Sequence, residues 1–138
     1  MQISLRPANI QDFAFCRALY FYTLQTVSPE QESSFRDRWH VSEVRIITCD
    51  SRDVGWLQSR IENESLYLVQ LFLESASQGQ GIGTEIVKTL LIKASQSDLP
   101  MTLGVVKSNP ARRLYERLGF KVTHEDDRKF YMKHEIAE

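Results

Sequence analysis

Cysteine is scarce in this chain: Cys16 and Cys49 are the two in 138 residues, far apart and each set among apolar neighbours. Their scarcity excludes a disulfide framework, no metal-ligand spacing involves them, and both read as buried thiols of a reducing compartment. No metal is expected. An excess of either charge is missing too. The chain has 17 Lys and Arg against 18 Asp and Glu, a formal net charge of −1. No overall field therefore draws in nucleic acid or an anionic membrane. No apolar run approaches the ~20 residues of a membrane span, and the start of the chain has no apolar leader core, so a cytoplasmic protein is the default. A Gly-Lys-Ser/Thr run is absent, which excludes a P-loop. Internal repeats, low-complexity tracts and linkers are absent as well. One hydrophobic core is expected at this length, so residues 1–138 read as a single domain.

The composition that is present is an ordinary globular one, 42% hydrophobic and 25% charged. Ile3 and Leu5 alternate with Ser4 and Arg6 ahead of Pro7, a short strand. Asn9 can cap a helix that carries Phe13, Cys16, Leu19 and Tyr20 and runs to about Gln25. Ser28-Pro29-Glu30 opens a second, more polar helix anchored by Phe35 and Trp39. Val44 to Cys49 and Val54 to Ile61 flank a polar turn as a hairpin. Leu66 to Leu73 is nearly continuous apolar sequence, the pattern of a central strand covered on both faces. Ile86, Val87, Leu90, Leu91 and Ala94 then recur at helical spacing in a helix beginning near Thr84. Met101 to Val106 reads as another buried strand. Asn109-Pro110 starts a helix through Leu114 and Leu118 that stops at Gly119. Phe120 to His124 and Lys129 to His134 read as a closing hairpin. The element order is β-α-α-β-β-β-α-β-α-β-β.

The stretch with the most chemistry in it is Gln78-Gly79-Gln80-Gly81-Ile82-Gly83-Thr84, between the apolar run and the helix. Glycine at alternate positions lets the backbone take positive φ and its N–H groups converge. A helix starting directly afterwards adds unpaired first-turn N–H groups and the positive end of its dipole. Together these suit an anion, a phosphate or pyrophosphate above all. A plain strand-to-helix turn that binds nothing has the same composition. The spacing is G-x-G-x-G rather than the G-x-G-x-x-G of a dinucleotide fold.

The strand Leu66 to Leu73, the turn Gln78-x-x-Gly81-x-Gly83 and the segment Asn109-Pro110-Ala111-Arg112-Arg113-Leu114-Tyr115-Glu116-Arg117-Leu118-Gly119-Phe120 together resemble the GNAT superfamily of acyl-CoA-dependent N-acyltransferases. The turn is similar to the family's Gln/Arg-x-x-Gly-x-Gly/Ala pyrophosphate motif. The later segment is similar to its Asn…Leu-Tyr-Glu-x-Leu-Gly-Phe run. The likeness in motif detail covers roughly residues 66 to 121. It implies an α/β, layered α+β domain with a mixed central sheet of about six to seven strands flanked by helices, and acetyl-CoA as co-substrate. It implies that backbone groups of Leu71, Phe72 and Leu73 pair with the pantetheine arm as an added strand would. The turn Gln78, Gly79, Gln80, Gly81, Ile82, Gly83 and Thr84 would hold the pyrophosphate, and Asn109 would contact the cofactor.

Tyr115 takes the chemical role in this reading, protonating the departing CoA thiolate after an amine attacks the acetyl carbonyl. With ordinary values of ~8.5 for the thiol and ~10 for the phenol, that transfer is uphill by about 2 kcal/mol. Asn109 stands six positions before Tyr115, one fewer than in many relatives. Relatives often carry a glutamate base near the fourth strand; the polar residues here are Tyr67 and Gln70. Glu62, Glu64 and His40 could act through water, though each also reads as a solvated surface group. The acceptor side would lie at the first two helices, near Tyr20, Tyr22, Phe35, Arg36, Arg38, Trp39 and His40. The reaction implied is direct acetyl transfer to a primary amine, on a small molecule or a protein, with a homodimer left open. The alternative is a non-catalytic acyl-CoA sensor or partner-binding module. Arg112, Arg113 and Arg117 do not make a nucleic-acid surface on a chain of this charge.

Overall fold

The computed structural model describes residues 1–136; the last two residues of the expected 1–138 domain lie outside the described residues. The elements are β1 (Ile3–Pro7), α1 (Phe13–Tyr20), α2 (Pro29–Arg38), β2 (Val44–Cys49), β3 (Arg52–Glu62), β4 (Ser65–Leu73), α3 (Ile82–Gln96), β5 (Met101–Val106), α4 (Ala111–Arg117), β6 (Lys121–Glu125) and β7 (Lys129–His134). Short 3-10 turns precede α1 and β2 and follow β4. The order matches the expected one. Seven strands form a mixed sheet in the order β1-β2-β3-β4-β5-β7-β6. The chain groups into two compact units, one of Met1–Gln58 with Gln70–Ile82, the other of Ser59–Val69 with the chain from Gly83 onward. Among the described residues no helix is long and apolar enough to cross a membrane.

In the first unit β1 pairs antiparallel with β2, and β2 with β3. The core gathers Cys16, Phe21, Phe35, Val44, Ile46 and Trp56. α2 is almost entirely polar, and ten such residues would not hold a helix alone. A capping box between Ser28 and Gln31 closes its N-terminus, worth about 1 kcal/mol. Phe35 does more, packing its ring on Tyr20, Phe13 and Trp56; burying such a side chain contributes about 1.5–3 kcal/mol. Gly55 lies in the interior of β3, where a Cβ would overlap the Phe72 carbonyl oxygen and stand 3.1 Å from Leu73 Cα. Beside it the Glu74 N–H donates to Val54 O at 2.8 Å. The backbone of β3 can approach the end of β4 this closely because position 55 has no side chain.

In the second unit the first residues of β4 run parallel to β5, with Leu66, Tyr67 and Leu68 opposite Met101, Thr102 and Leu103. β5 pairs antiparallel with β7, and β7 with β6. Met101, Leu103 and Val105 of β5 and Met132 of β7 are buried, as are Ile86, Val87, Leu90 and Ala94 of α3. The alternate residues Thr102, Gly104, Tyr131 and Lys133 are half-exposed. One face of this part of the sheet is sealed and the other is open.

The structure corrects several sequence expectations. α1 ends at Tyr20 rather than near Gln25, because Phe21 turns into the core and leaves the helical region. α3 starts at Ile82 rather than near Thr84; Ile82 is itself buried and brings the first turn of the helix forward. α4 starts at Ala111, with Pro110 just outside it. Cys16 is buried, whereas Cys49 is half-exposed. β4 is not covered on both faces: of its nine residues only Ser65 and Leu68 are buried. An apolar strand left half-open is one that a ligand can cover.

Gly55→Ala should lower stability by about 2 kcal/mol or more, since backbone rather than a flexible side-chain tip must move. The check is a chemical denaturation midpoint; an unchanged value would show that β3 and β4 separate freely at this point.

Candidate functional site

The residues singled out by sequence fall in two groups. Leu71, Phe72, Leu73, Gln78, Gly79, Gln80, Gly81 and Ile82 belong to the first unit; Gly83, Thr84, Asn109 and Tyr115 belong to the second.

The turn after β4 is braced from below. Arg52 Nη1 lies 2.6 Å from Glu74 Oε1, and the buried Ser77 hydroxyl donates to the same oxygen at 3.0 Å. The Gln78 side-chain amide donates to Leu73 O at 3.0 Å and that of Gln80 to Ala76 O at 2.9 Å. Both glutamines therefore hold backbone in place. Gly79 and Gly81 have φ of +75° and +83°, values that only glycine adopts without strain. A Cβ at either would meet nothing within 4 Å, so their role is conformational and the backbone remains open to approach. Gly83, the third glycine, lies in the first turn of α3 without positive φ. Left-handed glycines at alternate positions leading directly into the first turn of a helix are a backbone pattern that suits an anion.

Leu71, Phe72 and Leu73 are half-exposed. The Phe72 ring stacks on Trp56 with centroids 5.4 Å apart and meets Tyr20 edge-on at 5.4 Å. Its side chain is thus committed to the aromatic cluster.

Asn109 Oδ1 accepts from Ala111 N at 2.9 Å. The side-chain oxygen thus meets the first N–H of α4, and the amide N–H groups are left for any other contact. Tyr115 is 7% exposed, and its ring packs against Phe120 at 5.7 Å. Burial raises its pKa above the ordinary tyrosine value, because the phenolate loses more solvation than the phenol. The shift widens the uphill gap to a thiolate, yet it keeps the proton in place throughout the neutral range. Burial also pushes the Cys16 thiol up to about 11. That thiol is no nucleophile at neutral pH.

The proposed bases are all solvent-exposed: His40 ahead of β2, and Glu62 and Glu64 at the β3–β4 turn. Among the described residues no group of three or more His, Cys, Asp or Glu is placed to hold a metal. The sequence reading passed over Gly55 and Gly104, although a glycine inside an otherwise β-branched and apolar strand is the usual sign of a close approach.

A family model described as an acetyltransferase (GNAT) domain matches residues 23–134. No curated protein matches. Among solved structures, the PaiA N-acetyltransferase from Thermoplasma acidophilum in complex with coenzyme A is 20% identical, with 98% of this chain and 99% of that one covered and a TM-score of 0.74. PH1933 from Pyrococcus horikoshii OT3 is 16% identical over 99% and 100% of the two chains, with a TM-score of 0.81. The ribosomal-protein-S18-alanine N-acetyltransferase from Escherichia coli is 16% identical over 99% and 96%, with a TM-score of 0.74. At these identities the likeness is one of fold.

The raised phenol pKa has a measurable sign. Stabilisation from keeping Tyr115 protonated is complete below the unfolded value of about 10 and is lost as pH rises through the folded value. In a phenolate absorbance titration, the difference between wild type and Tyr115→Phe should ionise above 10. Ionisation at or below that value would show an exposed hydroxyl.

Proposed function

Because the chain belongs to the GNAT acetyltransferase family, we propose that it is a single domain over residues 1–138 that transfers an acetyl group from acetyl-CoA to a primary amine, by direct attack within a ternary complex. The observation that carries this reading is the open, positive-φ pair Gly79 and Gly81 running straight into α3. Coenzyme A fits such a cradle because its pyrophosphate needs several N–H donors with no side chain in the way. Leu71, Phe72 and Leu73 offer backbone groups to the pantetheine amides, with Gln78 holding the last carbonyl in position. The amide end of Asn109 supplies a further polar contact. Acetyl-CoA would supply an activated acetyl thioester.

Tyr115 holds its phenolic proton at neutral pH and gives it to the departing sulfur. Cys16, with its thiol pushed up to about 11, offers no covalent relay, which favours direct attack over an acetyl-enzyme. The attacking amine must be neutral. At a pKa of ~10.4 only about one molecule in a few thousand is neutral at pH 7. Water, leading to an exposed group such as Glu62, Glu64 or His40, removes the proton.

Calorimetry with coenzyme A separates this reading from a domain that only docks partners, since absence of binding would sink it. Gly81→Ala should weaken coenzyme A about tenfold, the equivalent of forcing a left-handed alanine at a cost of about 1–2 kcal/mol. Tyr115→Phe should lower kcat by about 10²-fold or more while leaving coenzyme A affinity unchanged. Full activity in that variant, with chemistry rate-limiting, would remove the acid assignment and point to a sensor or to another proton donor. Trapping an acetylated Cys16 would overturn direct attack.

A further inference from the structure

The start of the glycine turn is fastened to β3 through one residue, Glu74. Its backbone N–H donates to Val54 O at 2.8 Å, and its side-chain Oε1 lies 2.6 Å from Arg52 Nη1. Both partners stand at the beginning of β3. From Glu74 the chain makes a 3-10 turn over Ser75–Ser77, and Ser77 is tied back twice. Its N–H donates to Glu74 O at 3.0 Å and its hydroxyl to Glu74 Oε1 at 3.0 Å. Gly79, the first left-handed glycine, follows after Gln78. A line of contacts therefore runs from β3 through Glu74 and Ser77 to the cradle, and all of these residues belong to the first unit.

A carboxylate is a poor neighbour for an anion. Glu74 opens the segment read as the holder of a pyrophosphate, and an uncompensated negative charge there would repel that ligand. Arg52 offsets the charge. The side chains of this ion pair are 64% exposed at Arg52 and 28% at Glu74, so the pair by itself adds little to folding stability. What the carboxylate does provide is an acceptor. Ser77 is 3% exposed, and a hydroxyl that deep needs a protein partner because water barely reaches it.

We propose that Glu74 is a positioning residue for coenzyme A: it holds Ser77, and through Ser77 the turn from Gln78 to Ile82, in the shape that receives the pyrophosphate, while Arg52 cancels the charge that Glu74 brings to an anion site. The inference rests on the acetyl-transfer reading. It separates two properties of one side chain, a hydrogen-bond acceptor that the turn requires and a negative charge that Arg52 makes tolerable.

Calorimetry on the full chain tests the two properties one at a time. Glu74→Ala should weaken coenzyme A about tenfold, the order expected when a buried hydroxyl loses its partner. Glu74→Gln keeps an oxygen for Ser77 and removes the charge, so it should bind coenzyme A at least as tightly as wild type. Ser77→Ala breaks the same tether without leaving a polar group unpaired and should also weaken coenzyme A. Arg52→Met leaves the Glu74 charge uncompensated; its loss of affinity should shrink as salt rises and be relieved when Glu74→Gln is added. Pantetheine, which has the arm but no pyrophosphate, should bind wild type and Glu74→Ala equally, whereas general damage to the fold would lower both ligands alike.

Unchanged coenzyme A affinity in Glu74→Ala and Ser77→Ala, equal losses in Glu74→Ala and Glu74→Gln, an Arg52→Met loss that Glu74→Gln does not relieve, or equal losses for coenzyme A and pantetheine would overturn the proposal. Failure of the wild type to bind coenzyme A would count instead against acetyl transfer.

Discussion

Backbone N–H and C=O groups of a strand need partners along their whole length, and among the described residues β4 is registered with its parallel neighbour at Leu66–Leu68 against Met101–Leu103, near its start. Much of the functional reading grows from that short ladder. β4 continues to Leu73 and delivers the chain into the glycine turn; β5 continues to Val106 on the strength of its pairing with β7. A strand that must be apolar enough to belong to a sheet, yet remains half-exposed over its last residues, is suited to receive an extended ligand.

Two glycines support this arrangement on either side. Gly55 lets β3 come against the carbonyl of Phe72, and Gly104 lets the Tyr131 ring lie on β5. In both cases the missing side chain matters more than the conformational freedom, since neither residue has positive φ. Gly79 and Gly81 are the reverse case. Space around them is free, and the left-handed backbone is what demands glycine.

Burial decides the chemistry that remains. The same loss of solvation that holds the Tyr115 proton in place lifts the Cys16 thiol out of the nucleophilic range. One buried group therefore keeps its proton through the neutral range and the other is no thiolate there. The groups proposed to take an acceptor's proton, His40, Glu62 and Glu64, are by contrast all in solvent.

By itself the sequence determined the order of the elements, the glycine turn before a helix, and the Asn109-to-Phe120 segment, because period, capping residues and helix stops are local properties of neighbouring residues. In composition the turn is no different from a flexible loop; the positive φ at Gly79 and Gly81 and the inclusion of Gly83 in α3 separate the two glycines that the backbone requires from the third, on a helix that begins at Ile82. Only the tertiary structure decided that β4 is half-open rather than sealed, that α1 stops at Tyr20 so Phe21 can enter the core, that Gln78 and Gln80 bind backbone, and that Tyr131 lies over Gly104. Each of these depends on what another strand or helix places nearby, and sequence separation hides it. Gly104 and Tyr131 are 27 positions apart along the chain, and only the β5–β7 register makes them neighbours.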